Sequence, residues 1–199
     1  MKIPDKRGVL LYGPKMIDIE AEPITKEEYD DLPSLFEYMV DVMRGFDVRG
    51  ISAPEVGIFK NFFLLVMEDG SIKNFVNPEI TRMWGHELLL REGCLSLPPT
   101  GNECLVPRMQ HIEIEASTML RPYVRERTQM SGSESRMAQH QMDHFTGTFF
   151  VERSSNSHKR KVLIQFNNWR HQKVVAEITE KENVCLKLSQ TIRLLSRPT

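Results

Sequence analysis

The chain has 199 residues, enough for one domain with a substantial core. With 40% hydrophobic and 27% charged residues it has the composition of a soluble globular protein, not of a disordered or fibrous one. A formal net charge of -1 offers no global attraction to nucleic acid, and no apolar run approaches the roughly 18 residues of a membrane span. Three cysteines, Cys94, Cys104 and Cys185, are too few for a disulfide framework and point to a reducing intracellular compartment. Met1 to Leu11 has neither a secretory signal pattern nor the Arg- and Ser-rich, acid-poor pattern of a transit peptide.

In chain order, Gly8 to Gly13 reads as a short apolar strand entering a turn. Thr25-x-x-Glu28 fits a capping box, and Pro33 suits a first helical turn. Leu32, Leu35, Phe36, Met39 and Met43 recur at helical spacing, which predicts a helix from Lys26 to Arg44 stopping at Gly45. That stripe is core packing. Gly50 to Gly57 is a small-residue loop with a proline. Asn61 to Met67 is a buried-type strand, Glu68-Asp69-Gly70-Ser71 a hairpin turn, and Ile72 to Val76 its returning partner, closed by Asn77-Pro78. Gly85 to Arg91 is a further strand, and Ile112 and Ile114 alternate with charge as in a half-exposed one. Ser131-x-x-Glu134 is a second capping box, opening a helix that ends at Gly147 with Met137, Gln141 and Phe145 along one stripe. Thr148 to Val151 reads as a strand and Ser154 to Ser157 as a linker. His158-Lys159-Arg160-Lys161 is a small basic cluster. Val162 to Phe166 and Val174 to Ile178 read as strands and the last 20 residues as helix. Helices and strands do not alternate regularly, so the fold class expected is α+β. It is a single domain over residues 1–155 with antiparallel or mixed sheets around a central metal-binding helix, and residues 156–199 form a C-terminal extension.

His140 and His144 lie one helical turn apart, so both imidazoles can reach one ion. The metallohydrolase motif at this spacing is H-E-x-x-H, its Glu serving as general base; here that place is Gln141. Cys94, following a glycine between a strand and a proline, offers a thiolate to a borderline ion. A lone cysteine is otherwise a small buried hydrophobe, the reading kept for Cys104 and Cys185.

Three motifs stand in order: Gly50-Ile51-Ser52-Ala53-Pro54-Glu55-Val56-Gly57, then Glu92-Gly93-Cys94-Leu95-Ser96-Leu97-Pro98, then Gln139-His140-Gln141-Met142-Asp143-His144-Phe145-Thr146-Gly147. The set resembles the peptide deformylases, whose motifs are GφGφAAPQ (φ apolar), EGCLS and QHExDH. The resemblance runs from about Leu10 to Phe150 and takes in Leu11-Tyr12-Gly13, Glu22-Pro23-Ile24, Asn77-Pro78-Glu79-Ile80 and Val106-Pro107-Arg108. It implies an α+β metalloenzyme removing the N-formyl group from the starting methionine of nascent peptides. The implied metal ligands are Cys94, His140 and His144, with an open fourth position for water. The ion the resemblance implies is ferrous iron, with zinc, nickel or cobalt also able to occupy such a site. The Leu95 N–H is the implied oxyanion donor, and Glu92 the implied acceptor for a ligand imidazole. Gly50, Ile51 and Arg49 fall at the implied substrate cleft. Implied partners are nascent formylated peptides and, through C-terminal tails of family members, the ribosome; no membrane and no direct nucleic-acid contact is expected. Bacterial cytoplasm and mitochondrion both suit the chain.

Two departures fall on catalytic positions. The family's general-base Glu is Gln141, and its oxyanion-stabilising Gln is Glu55. Together they exchange one amide and one carboxylate, which suggests swapped roles: Glu55 takes the proton and Gln141 donates to the oxyanion. The competing readings are an impaired homologue that keeps its metal and acts as a binding module, and a hydrolase of a different acyl amide. Arg49 stands where the family is usually apolar, Val48 where glycine is common, and Ser52 where it has alanine. Asp143, Arg108 and Arg136 occupy matching positions without an assigned role.

Overall fold

The strand Phe62–Val66 (β2) explains the layering of the molecule. Its run Phe-Phe-Leu-Leu-Val shows no polar alternation because both of its faces are covered. Phe62 and Leu64 enter a core cluster with Leu32, Leu35 and Met39. Phe63 and Leu65 enter another with Ile112, Ala138 and Phe145 on the opposite side. A strand's side chains alternate between faces, so β2 feeds two cores at once. The structure, a computed structural model, describes residues 1, 8–17, 19–98 and 103–173.

Among the described residues, five strands form one antiparallel sheet in sequential order. They are Gly50–Ser52 (β1), β2, Ile72–Glu92 (β3), Cys104–Thr118 (β4) and Arg121–Ser131 (β5). One isolated parallel bridge, Glu22 to Lys60, lies outside it. Helix Leu32–Phe46 (α1) covers the first face and helix Gly132–Asp143 (α2) the second. A third cluster, with Met16, Val106, Phe149 and Phe150, also takes in Val162 and Phe166 of a helix over residues 156–173 (α3). The α+β single-domain expectation holds.

Several local expectations are corrected. Gly8 to Gly13 forms no strand: Leu10 and Tyr12 donate their N–H groups to the carbonyls of Glu55, in a 3-10 turn, and of Ser96, in another turn, neither of which continues a ladder. The first helix is preceded by a 3-10 turn at Tyr29–Asp31 and passes through Gly45; Asp47, at φ 53°, supplies the left-handed cap. The strands expected at 72–76 and 85–91 are one, β3. It accommodates Pro78 next to a register shift and Gly85 at φ 86°, where a Cβ would lie 2.8 Å from His111. The expected capping box at Ser131 does not form: Ser131 makes no side-chain cap, and the Glu134 carboxylate accepts from the Glu68 N–H. Phe150–Arg153 is a 3-10 turn, not strand: the adjacent Phe149 and Phe150 enter one and the same core cluster, which a strand's alternation does not allow. Val162 to Phe166 is helical. Val162, Phe166 and Trp169 repeat at i, i+4 and i+7 on the face packed inward, while Ile164 is half exposed. Val174 to Ile178 and the last 20 residues lie outside the described residues.

Candidate metal centre

Helix α2 carries polar residues into the protein interior. Ser135, Gln139, His140, Gln141 and Asp143 are all buried. Ser135, Gln139, His140 and Asp143 are each paired with a neighbour, as burial of polar atoms requires, and Gln141 is the exception. Gln139 lies against β4, accepting from the Met109 N–H and donating to the Met109 carbonyl. The helix ends at Asp143 and continues as a 3-10 turn, His144–Thr146, closed by Gly147 at φ 65°. His140 and His144 stay in edge-to-face contact across this change, ring centroids 5.0 Å apart and nearly perpendicular.

Cys94 reaches the same point from the end of β3. Its sulfur and one ring nitrogen from each histidine lie within 4.8 Å of one another, with Sγ 3.5 Å from His144 Nε2. Donors at 2.3 and about 2.05 Å from one ion at a tetrahedral angle stand about 3.6 Å apart, so this pair fits a single divalent ion. Burial pushes the Cys94 thiol well up, and the Glu55 carboxylate beside it adds to the rise. Burial also pulls His144 down to about 4, leaving a neutral imidazole able to ligate. Cation binding would therefore displace the thiol proton.

His140 is aimed by Glu92, whose Oε2 lies 3.0 Å from Nδ1, leaving Nε2 for the centre. Glu92 also accepts from Arg108 Nε and Nη2 at 3.0 and 2.9 Å, and from Arg136 Nη1 at 2.6 Å. Burial alone would raise its carboxyl, but the bonds from His140 and Arg108 prevail and hold it at about 2. Arg108 extends to Asp143 Oδ2 at 2.5 Å, and Asp143 also takes Arg153 Nε at 2.6 Å. Asp143 is thus a buried link tying α2 to β4 and to the 3-10 turn at Phe150–Arg153.

Glu55, only 2% exposed, stands beside the ligand atoms. Its Oε1 is 3.5 Å from Cys94 Sγ and 3.6 Å from His144 Nε2. Its Oε2 accepts from Ser52 N–H and Ser52 Oγ, both at 2.9 Å, closing the capping box of the 3-10 turn Ala53–Val56. Gln141 is buried as well. Its Nε2 lies 3.1 Å from where a Cβ on Gly50 would sit, and its Oε1 has no partner among the described residues. Leu95 follows Cys94 in a turn closed by the Leu97 N–H on the Cys94 carbonyl. The Ile51 side chain points into the α1-side core, and Arg49 is exposed, donating to the Val66 carbonyl at 3.2 Å. The structure therefore gathers Cys94, His140, His144, Glu92 and Glu55, and sets the Gln141 side chain against Gly50. It leaves the Arg49 and Ile51 side chains outside that cluster.

Sequence reasoning missed Ser52, Arg153 and the bridging role of Arg108 and Arg136. Ser52-x-x-Glu55 was a readable capping-box signal. The arginines carried no local signal, since their partners lie 10 to 44 residues away.

An α+β fold whose sheet-packed helix and the 3-10 turn after it present two histidines beside a cysteine and a buried carboxylate fits a metal-dependent hydrolase class. The family model for polypeptide deformylase matches residues 6–160, and the chain belongs to the peptide deformylase family. It is 31% identical over 155 residues to a peptide deformylase of Thermotoga sp. (strain RQ2), covering 78% of this chain and 90% of that one. Its fold is similar to that of a Legionella pneumophila peptide deformylase, at a TM-score of 0.76 and 23% identity, covering 84% of this chain and 97% of that one. It is also similar to a Synechococcus elongatus peptide deformylase solved in complex with actinonin: TM-score 0.73, 27% identity, covering 83% of this chain and 90% of that one.

Proposed function

We propose that this protein removes the formyl group from N-formyl-methionyl peptides of nascent chains, with Glu55 and Gln141 in exchanged roles. The observation that carries the reading is the Glu55 carboxylate, held by Ser52 on one oxygen and facing Cys94 Sγ and His144 Nε2 with the other. A divalent ion held by Cys94, His140 and His144 would supply Lewis acidity and a water acidified toward neutral pH. Glu55 Oε1 accepts the proton of the attacking water and returns it to the leaving amine nitrogen. The Gln141 amide and the Leu95 N–H donate to the carbonyl oxygen as it gains charge. Glu92 keeps His140 in the tautomer that leaves Nε2 free. Gly50 and Ile51 belong to the edge strand of the described sheet, where an extended peptide can pair with main-chain groups, and Arg49 sits at the rim.

We assign ferrous iron as the native ion; one thiolate and two imidazoles also suit zinc, nickel and cobalt. The exposed His158, Arg160 and Lys161 on α3 support a contact with the ribosome, to be checked by co-sedimentation. A cysteine needed as a ligand suits a reducing compartment, bacterial cytoplasm or mitochondrion.

The test is formate release from formyl-Met-Ala-Ser by freshly iron-loaded protein, with metal content measured on the same sample. Glu55→Gln should lower turnover on the order of 10²–10⁴-fold, and the double variant Glu55→Gln/Gln141→Glu should recover it. Unchanged turnover in metal-loaded Glu55→Gln protein would sink the exchange of roles. Binding of formylated peptide with no formate release by the unsubstituted protein would favour the binding-module reading instead.

A further inference from the structure

The contact between Ser52 and Glu55 does more than close a turn. Both residues are essentially without solvent exposure, at 0% and 2%. The Ser52 hydroxyl donates to the Glu55 carboxyl group. Hydroxyl and main-chain N–H converge on the same oxygen, Oε2, each at 2.9 Å. Two donors on one oxygen fix the carboxylate's rotation and commit Oε1 to the side where Cys94 Sγ and His144 Nε2 lie. A carboxylate beside a cation would otherwise be free to turn and offer both oxygens, since Asp and Glu are themselves metal ligands. The hydroxyl also departs from the resembled motif together with the carboxylate: that motif has alanine and glutamine at these two places.

We propose that Ser52 is a positioning residue, whose hydroxyl holds Oε2 of Glu55 so that a single oxygen, Oε1, is presented to the centre. This rests on the reading of Glu55 as the proton acceptor. Ser52→Ala removes one buried oxygen and adds no volume, so the fold should persist, as far-UV circular dichroism can verify. The experiment is a cycle of Ser52→Ala, Glu55→Gln and the double variant, with Ser52→Thr as the hydroxyl-retaining control. Two readouts are taken: the visible absorption of the cobalt-substituted proteins, and kcat and KM for formate release. Ser52→Ala should alter the cobalt bands and lower kcat about 10- to 100-fold, the worth of one hydrogen bond to a charged group, with KM within about twofold. Ser52→Thr should keep both properties. In the Glu55→Gln background, Ser52→Ala should change the cobalt bands no further. The proposal is overturned if Ser52→Ala leaves the cobalt spectrum of the Glu55 protein unaltered, or alters it equally in the Glu55→Gln background, as a plain turn cap would. Intact turnover in Glu55→Gln alone refutes the acceptor role of Glu55, while the cobalt arm still decides what Ser52 does.

Discussion

Replacing Glu92 by glutamine tests the electrostatic frame of the site. The carboxylate receives four bonds, from His140 Nδ1, from two nitrogens of Arg108 and from Arg136, and it is 7% exposed. Its depression from an ordinary 4.5 to about 2 corresponds to about 3 kcal/mol of preference for the charged form. Glu92→Gln keeps the shape but leaves the buried Arg108 with Asp143 as its one remaining carboxylate. It also turns one accepting oxygen into an NH2 group facing donors. Removing one partner of a buried ion pair costs about 3–5 kcal/mol, in line with the first figure. The urea-unfolding free energy of metal-free Glu92→Gln should therefore drop by about 3 kcal/mol. Metal affinity, measured by chelator competition, should fall about 10- to 100-fold because His140 loses its orienting acceptor. A stability loss below about 1 kcal/mol together with unchanged metal affinity would refute the reasoning, reducing the network to a surface-like ion pair.

Two further outcomes follow from the same geometry. Gly50→Ala places a methyl 2.9 Å from Leu65 Cδ2 and 3.1 Å from Gln141 Nε2; overpacking should cost about 1–3 kcal/mol, and the displaced amide should lower turnover on the order of 10²-fold. Turnover within twofold of the parent would mean that the place of Gln141 does not matter. In metal-free protein, His144 titrates at about 4 against an ordinary 6.5, and Glu92 at about 2 against 4.5. Both folded values are depressed, so their stability is fully present above about pH 6.5. It is lost as pH falls, through the His144 window first and the Glu92 window next. Urea midpoints should decline from pH 7 to 4, and a flat profile would contradict the burial of His144 as a neutral ring.

The motifs around Gly50, Cys94 and His140 were readable as chemistry because ligand spacing on a helix and residue type at a strand end are local properties. Helix α1, the β2–β3 hairpin and the α+β class were readable for the same reason: apolar periodicity and turn residues act over a few positions. Val162 to Phe166 was misread as strand because a short apolar run carries no period of its own. The core it packs against, from Met16 to Phe150, settles it as helix. The merging of two short strands into β3 likewise depended on β4, whose pairing carries the ladder past Pro78 and Gly85. In the site, the exchange of Glu and Gln was visible residue by residue, but its geometry was not. Which way the Glu55 carboxylate faces is set by Ser52 together with Cys94 and His144, 39 and 89 positions further along the chain. Arg108, Arg136 and Arg153 found their carboxylates only once β3, β4 and α2 were packed. Charged side chains meet at low dielectric because the fold removes water between segments that share no sequence signal.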